Sequence, residues 1–199
     1  MRKFGSLAGA VLLLGCMDTP ANTTAPKLSG AVVTGTQAER NDRDFNTIET
    51  KLSGDEEAPV IRVTGAHGSA NVRLSKDGQS VDFVLVVNDI SNITQAHIHM
   101  EAKGKAGPIV VWLYPSVTAT QALPPGAGPH SGLLASGTFT AANLVGPLKD
   151  RPLSEFIAAV VAGNTYVNVH TNDGVDGTNT GPGDFPAGEI RGQLDKNGH

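Results

Sequence analysis

Hydrophobic and polar residues alternate along several segments of the chain with the period of two that β-strands produce. Alternate residues of segment 81–87 are large and apolar, and the preceding segment 70–74 follows the same pattern. The turn between them contains Asp77 and Gly78, a pair that favours the positive φ angles of a tight hairpin. The pattern therefore predicts two antiparallel strands joined by this turn.

Further short strands and one helix complete the predicted domain. The other strands are expected at 48–52, 93–99, 108–114, 132–140, 165–170 and 189–194. Gly137 is expected to mark a β-bulge. The helix has an apolar stripe between Ser154, the predicted N-cap, and Gly163, the predicted C-terminal glycine. Many short strands, glycine-rich turns and one short helix predict an all-β fold, an antiparallel β-sandwich or Greek-key barrel with the helix packed on it.

Composition narrows the class of protein. The chain has 199 residues, of which 39% are hydrophobic and 17% charged, which favours one folded domain over an intrinsically disordered chain. The formal net charge of -4 argues against nucleic acid as a partner, because that partner calls for a basic face. A single cysteine excludes an intramolecular disulfide framework and a cysteine-rich zinc site.

The N-terminus is typical of an export signal. Arg2 and Lys3 precede the apolar segment 4–15, which is shorter than the roughly 20 residues needed to span a bilayer. Residues 13–16 resemble the bacterial lipobox, and by that resemblance Cys16 would carry a lipid at the start of the mature protein. We therefore predict a lipoprotein signal peptide over 1–16. The alternatives are an ordinary signal peptide cleaved elsewhere and a cytosolic chain with an apolar start.

The remaining boundaries follow from composition. Residues 17–46 begin as a Thr/Pro-rich stretch without an apolar period and are interpreted as a tether and linker. The folded domain is predicted over 47–195, followed by a tail at 196–199. A lipid on Cys16 would make the membrane a partner and place the domain in the cell envelope, in the periplasm or on the outer surface. A further envelope or extracellular partner is not identified by the sequence.

An ordered set of short segments resembles the CHRD domain, a module named after chordin and also found in bacterial envelope proteins. The set comprises the Ala-His-Ile-His segment 96–99, the Gly/Pro-containing segment 104–111, the Tyr-Val-Asn-Val-His-Thr segment 166–171 and the Gly-Glu-Ile-Arg-Gly segment 188–194. The Leu-Ser-Gly and Glu-Ala-Pro motifs within 52–59 resemble its opening. The loop over 172–187 is longer than the usual link of the family.

The resemblance implies an extracytoplasmic, immunoglobulin-like or related β-sandwich, and it implies no particular activity. The chain also lacks the Gly-x-Ser-x-Gly, Walker A and His-Glu-x-x-His motifs. We therefore expect no enzyme, but a lipid-anchored envelope module with a non-catalytic binding or structural role.

Three histidines are the remaining residues with a possible chemical role. His97 and His99 are two positions apart, so on a strand they share one face with a rise of about 6.6 Å between them. His170 lies on another predicted strand and could supply a third imidazole. Imidazole nitrogens suit copper and zinc, so the alternative function is a copper- or zinc-binding envelope protein. The His-x-His pattern resembles Cu/Zn superoxide dismutase, whose other ligands and disulfide are not recognisable here.

Polar residues near these histidines allow two interpretations. Glu189 is expected either to bind the ion or to orient an imidazole, with Asn168 and Arg191 as further supporting residues. The alternative is a cluster of hydrogen-bonded polar side chains that fixes strand register, in which Arg191 pairs with Glu189.

A weaker hypothesis concerns calcium. Asp173, Asp176, Asn179 and Asp184 lie in one glycine-rich loop and offer the oxygen atoms that Ca²⁺ prefers. Their spacing does not match a calcium-binding loop motif, and turn formation explains the same residues equally well.

Overall fold

The computed structural model of the protein describes residues 47–175 and 180–195. This part of the chain forms one antiparallel sheet of eight strands. The strands are β1 (Thr47–Ser53), β2 (His67–Leu74), β3 (Val81–Ser91), β4 (Ile93–Met100), β5 (Ile109–Tyr114), β6 (Pro129–Phe139), β7 (Thr165–Thr171) and β8 (Ile190–Gln193). The predicted signal peptide with Cys16, the tether 17–46 and the tail 196–199 lie outside the described residues.

The sheet forms a nearly closed barrel with the strand order β5-β4-β7-β8-β1-β2-β3-β6. The two edge strands, β5 and β6, come into contact and line a groove of about 410 Å³ that includes Leu113 and Leu134. With β5 and β6 counted as neighbours, β7, β4, β5 and β6 have the 4-1-2-3 order of a Greek key. The prediction of an all-β antiparallel fold is confirmed.

The predicted hairpin is formed by β2 and β3. Leu74 pairs with Val81, and the strands stay in register along their length. Gly78 has a φ of 68°, and the Asp77 side chain accepts a hydrogen bond from the Gln79 N–H at 3.1 Å. Local turn chemistry and alternation therefore specify this part of the sheet together.

The bulge predicted at Gly137 is wrong. Gly137 pairs regularly with Phe83, whereas the register between β3 and β6 shifts where the pairing passes from Ala135 to Leu133. A Cβ at Gly137 would lie 3.2 Å from the Phe83 ring. The glycine therefore makes room for an aromatic side chain on the neighbouring strand.

The one α-helix among the described residues, α1, spans Leu153–Val161. Its N-cap is Pro152, so the predicted N-cap Ser154 is wrong and lies within the first turn. Gly163 follows the C-cap with a φ of 69°, as predicted for a C-terminal glycine. Phe156 is fully buried and meets Phe139 of β6 at a ring-centroid distance of 5.2 Å, which packs the helix on the barrel. No described helix combines the length and apolarity that crossing a membrane would take.

Strands β4, β7 and β8 bury residues on both faces. Ile98, Val167 and Ile190 belong to the hydrophobic core of the barrel. Their neighbours along each strand point to the opposite face, because side chains alternate along a strand. That second face carries histidine, asparagine and arginine side chains, and it is covered by segments from the loops 54–66, 101–108 and 172–189. The candidate site lies on this covered outer face.

Candidate metal centre

Three imidazoles converge on the outer face of β4 and β7. His97 and His99 come from β4, and His170 comes from the adjacent strand β7. Their ring centroids are 5.0 to 5.8 Å apart, and one nitrogen from each ring lies within 4.8 Å of the other two. All three residues are buried, with 0%, 8% and 7% of their surface exposed. The rings are therefore close enough for one ion to bridge them after small shifts of the side chains.

Backbone carbonyl oxygens fix the tautomers of two of the rings. His99 donates its Nδ1 proton to the Gly107 oxygen at 2.9 Å, and His170 donates its Nδ1 proton to the Pro186 oxygen at 3.0 Å. A carbonyl oxygen can only accept, so Nδ1 must carry the proton and Nε2 must carry the lone pair. This is the arrangement that orients a metal-binding histidine.

The third ring contacts the second directly. His97 Nδ1 and His170 Nε2 are 3.2 Å apart, and because His170 Nε2 carries a lone pair, the His97 Nδ1 proton is donated to it. The Nε2 atoms of His97 and His99 are then buried without a hydrogen-bond partner among the residues that the structure describes. Unpaired buried polar atoms are rare and costly, so these two nitrogens point to a ligand.

The imidazoles are held neutral. Burial, reinforced by the neighbouring His170 and His99, lowers the pKa of His97 to about 2. Burial likewise lowers the pKa of His170 to about 4, against the opposing hydrogen bond to Pro186. The pKa of His99 is lowered by burial and by Arg191, with the Gly107 hydrogen bond acting in the opposite direction. Neutral rings at neutral pH are the form that binds metal ions.

Aromatic side chains enclose the rings. Trp112 of β5 packs edge-on against His97 at 4.2 Å. Tyr166 of β7 stacks on His99 at 4.9 Å with an interplanar angle of 7°, and the Arg191 guanidinium lies 3.4 Å from the centre of the other tyrosine face. His99, Tyr166 and Arg191 thus form one continuous stack.

The three predicted supporting residues lie nearby but make other contacts. Glu189 accepts hydrogen bonds from Thr64, Thr171 and the Gly183 N–H, and no described hydrogen bond joins it to an imidazole. The expected pairing of Arg191 with Glu189 is absent among the described contacts. The guanidinium instead donates to the carbonyl oxygens of residues 105 and 102 and to the Gln193 side chain. Its link to the histidines therefore runs through the tyrosine stack.

Asn168 belongs to a second buried cluster. Its Nδ2 donates to Glu57 Oε1 at 2.6 Å, while its Oδ1 has no partner. Burial raises the pKa of Glu57 to about 7, although Arg191 and Arg62 pull it down. A Cβ at Gly188 would lie 2.5 Å from Asn168 Nδ2, so only glycine fits beside this pair.

Residues missed by sequence reasoning complete the site. The carbonyl oxygens of Gly107 and Pro186 orient two imidazoles. Because every residue has a backbone carbonyl, the pattern of side chains in the sequence does not indicate which carbonyls accept these bonds. The glycine at position 107 is itself an indirect sign of this contact in the sequence, because a Cβ there would lie 2.1 Å from the Met100 backbone oxygen. The tight approach that holds the carbonyl against His99 therefore requires a glycine.

The loop of the calcium hypothesis uses its oxygens for turns. Asp184 accepts hydrogen bonds from the Thr180 N–H and hydroxyl through Oδ2, and Asp173 accepts one from the Val175 N–H. Asp184 Oδ1 is buried and has no hydrogen-bond partner among the described residues, but no second carboxylate converges on it there. Residues 176 and 179 lie outside the described part. Within that part, the histidine cluster is the group whose ligand atoms converge.

Comparison with known protein families identifies the family to which the whole barrel belongs. The family model of the CHRD domain matches residues 48–194. The chain belongs to the CHRD domain family. The match spans the strands that carry His97, His99 and His170, so the imidazole cluster lies within the CHRD domain. A search of curated proteins finds no match to the chain.

The three rings fit a copper or zinc ion. In an equilateral triangle with 4.8 Å sides the centre is about 2.8 Å from each corner, so ligands at about 2.0–2.1 Å require shifts of less than about 1 Å. The ion would be held by the Nε2 atoms of His99 and His170 and by a nitrogen of His97, which would give up its bond to His170. Such an ion would supply a Lewis acid or, as copper, an electron carrier.

Proposed function

We propose that this CHRD domain protein is a non-catalytic metal-binding module of the cell envelope. His97, His99 and His170 hold one copper or zinc ion, and a lipid on Cys16 anchors the chain to the membrane. The single observation that carries the proposal is the convergence of three neutral, buried imidazoles, two of which have unpaired Nε2 atoms.

The competing explanation is a structural polar cluster. Such a cluster stabilises a fold when every buried donor and acceptor has a partner, and it becomes costly when some do not. Glu189 meets that description, with three hydrogen bonds to its carboxylate. The imidazoles do not, since the only described partners of His97 and His99 are at Nδ1. The unpaired nitrogens therefore favour a ligand over a purely structural role.

Metal content tests the binding site. The full chain and a His97→Ala, His99→Ala variant are purified from their native compartment without chelators, and copper and zinc are measured by elemental analysis. We expect close to one ion per chain in the parent and less than a tenth of that in the variant. His67→Ala, which removes an exposed histidine of β2, is the matched control and should keep its metal. Equal metal content in all three proteins would overturn the proposal.

The non-catalytic role and the anchor are tested separately. Superoxide dismutation by the metal-loaded protein, abolished in the His97→Ala variant, would replace the binding role with an enzymatic one. For the anchor, Cys16→Ser should release the protein from the membrane fraction and end incorporation of labelled palmitate. Retention of both properties in Cys16→Ser would show that the chain is held by other means.

A further inference from the structure

The charges around the three imidazoles differ from those expected for a divalent ion. Histidines bind a metal ion as neutral ligands and leave its full charge in place. The described hydrogen bonds of the three rings go to one another and to backbone carbonyl oxygens, and none goes to a carboxylate. The charged side chain that acts on His99 is instead positive. Arg191 is only 1% exposed and stacks on the face of Tyr166 opposite His99.

This guanidinium is not neutralised by a contact. Its described hydrogen bonds go to two carbonyl oxygens and to the neutral Gln193 side chain, and it takes part in none of the described ion pairs. Glu57, Glu56 and Glu101 act on it only at longer range. Glu56 is already paired with Lys103, and burial holds the pKa of Glu57 near 7. The guanidinium charge therefore lies beside the tyrosine stack with no carboxylate in contact with it among the described residues.

The number of ligands in the cluster also differs from that expected for a divalent copper or zinc ion. Among the described residues the cluster contains three histidines and no fourth histidine, cysteine or carboxylate. Structural zinc takes four ligands and Cu(II) prefers a square-planar or tetragonal set, whereas Cu(I) accepts three ligands. The low exposure of the rings also limits water as a fourth ligand.

We propose that this site selects a singly charged ion, Cu(I), over Cu(II) and Zn(II), and that Arg191 is the positioning and charge-setting residue behind that preference. The inference rests on the proposed metal site. The stacking distances of 3.4 and 4.9 Å place the guanidinium about 10 Å from an ion on His99 Nε2. At an effective dielectric constant of about 20, a unit charge at that distance changes a binding constant roughly tenfold per unit of ion charge.

The experiment compares the two oxidation states on the full chain in detergent. The Kd for Cu(I) is measured anaerobically by competition with bicinchoninate, and the Kd for Cu(II) by competition with glycine. We expect tighter binding of Cu(I) in the parent protein. Arg191→Gln should lower the ratio of the Cu(II) Kd to the Cu(I) Kd about tenfold. Arg191→Lys, which keeps the charge, should leave that ratio within about threefold of the parent.

A second variant guards against loss of folding. Gln193→Glu keeps the guanidinium and puts a carboxylate oxygen where Gln193 Oε1 now accepts from it at 3.0 Å, so the ratio should fall in the same direction. Because glutamate cannot donate the two hydrogen bonds of Gln193 Nε2 to the carbonyl oxygens of residues 101 and 163, the fold of this variant is checked by circular dichroism before the ratios are compared. Tighter binding of Cu(II) by the parent, or an unchanged ratio in both Arg191→Gln and Gln193→Glu, would overturn the inference while leaving the metal site in place. Binding of neither ion would instead defeat the proposed function.

Discussion

The buried carboxyl group of Glu57 should make the stability of the domain depend on pH. Burial raises its pKa from 4.5 to about 7 in the folded protein. Because the folded state holds the proton more tightly, stability is fully present below pH 4.5 and falls as the pH rises towards 7. A difference of about 2.5 pKa units corresponds to about 3 kcal/mol, at 1.36 kcal/mol per unit.

The substitution Glu57→Gln isolates this contribution. Glutamine keeps an oxygen to accept the hydrogen bond from Asn168 and cannot ionise. The free energy of unfolding is measured by urea denaturation of the parent and variant from pH 4 to pH 8. The variant should gain about 3 kcal/mol relative to the parent between pH 4.5 and 7.

The quantity to plot against pH is the difference between the unfolding free energies of variant and parent, because other groups titrate in the same range. The lowered pKa values of His97 and His170 contribute stability above the unfolded histidine pKa of about 6.5, which is lost as the pH falls. These contributions cancel between parent and variant. Glu49→Gln, at an exposed position of β1, controls for the amide substitution. A difference curve flat within about 0.5 kcal/mol would show that Arg191 and Arg62 keep the carboxylate ionised, and would refute the reasoning.

Three further predictions concern packing and the site. Gly188→Ala combines a φ of 126° with a Cβ overlap and should cost more than about 3 kcal/mol in urea denaturation, whereas Gly104→Ala, with a φ of 79° and open space, should cost about 1 kcal/mol. Phe156→Ala, which removes a fully buried ring, should lower the free energy of unfolding by about 3–5 kcal/mol, and a loss below about 1 kcal/mol would contradict its place in the core. His97→Leu removes the unpaired Nε2 but leaves His170 Nε2 without the proton that His97 Nδ1 donates. Because these two effects offset, the metal-free stability should stay within about 1 kcal/mol of the parent, and a loss above about 3 kcal/mol would favour a structural histidine cluster.

Alternation and turn chemistry were enough to predict most of the sheet. The β2–β3 hairpin depends on neighbours in sequence, and both its strands and its Asp77-Gly78 turn were predicted. The start of α1 was not, because the buried side chain of Leu153 joins the helix and moves its cap to Pro152. Burial of a particular side chain is a property of the tertiary structure, which a capping pattern does not contain.

The candidate site likewise contains residues that the sequence could predict and groups that it could not. A common face for His97 and His99 follows from the period of a strand, so the sequence was sufficient. The position of His170 depends on the pairing of β4 with β7, which are separated in sequence by β5, β6 and α1. The carbonyl oxygens of Gly107 and Pro186 come from loops whose paths depend on that pairing. Ligand residues could therefore be proposed from the sequence, whereas the groups that orient them could not.

The polar side chains on the covered face of β4, β7 and β8 do not maximise the stability of the fold. Within residues 47–175 and 180–195, this face holds a guanidinium without a contacting carboxylate, a carboxyl with a raised pKa and two imidazole nitrogens without partners. Apolar residues of similar size usually replace such groups at little cost or with a gain in stability. The same strands already do so on their inner face, where Ile98 and Val167 are fully buried. The proposed ion would account for such a polar face, because it would pair with the free nitrogens and its binding would restore the stability lost without it.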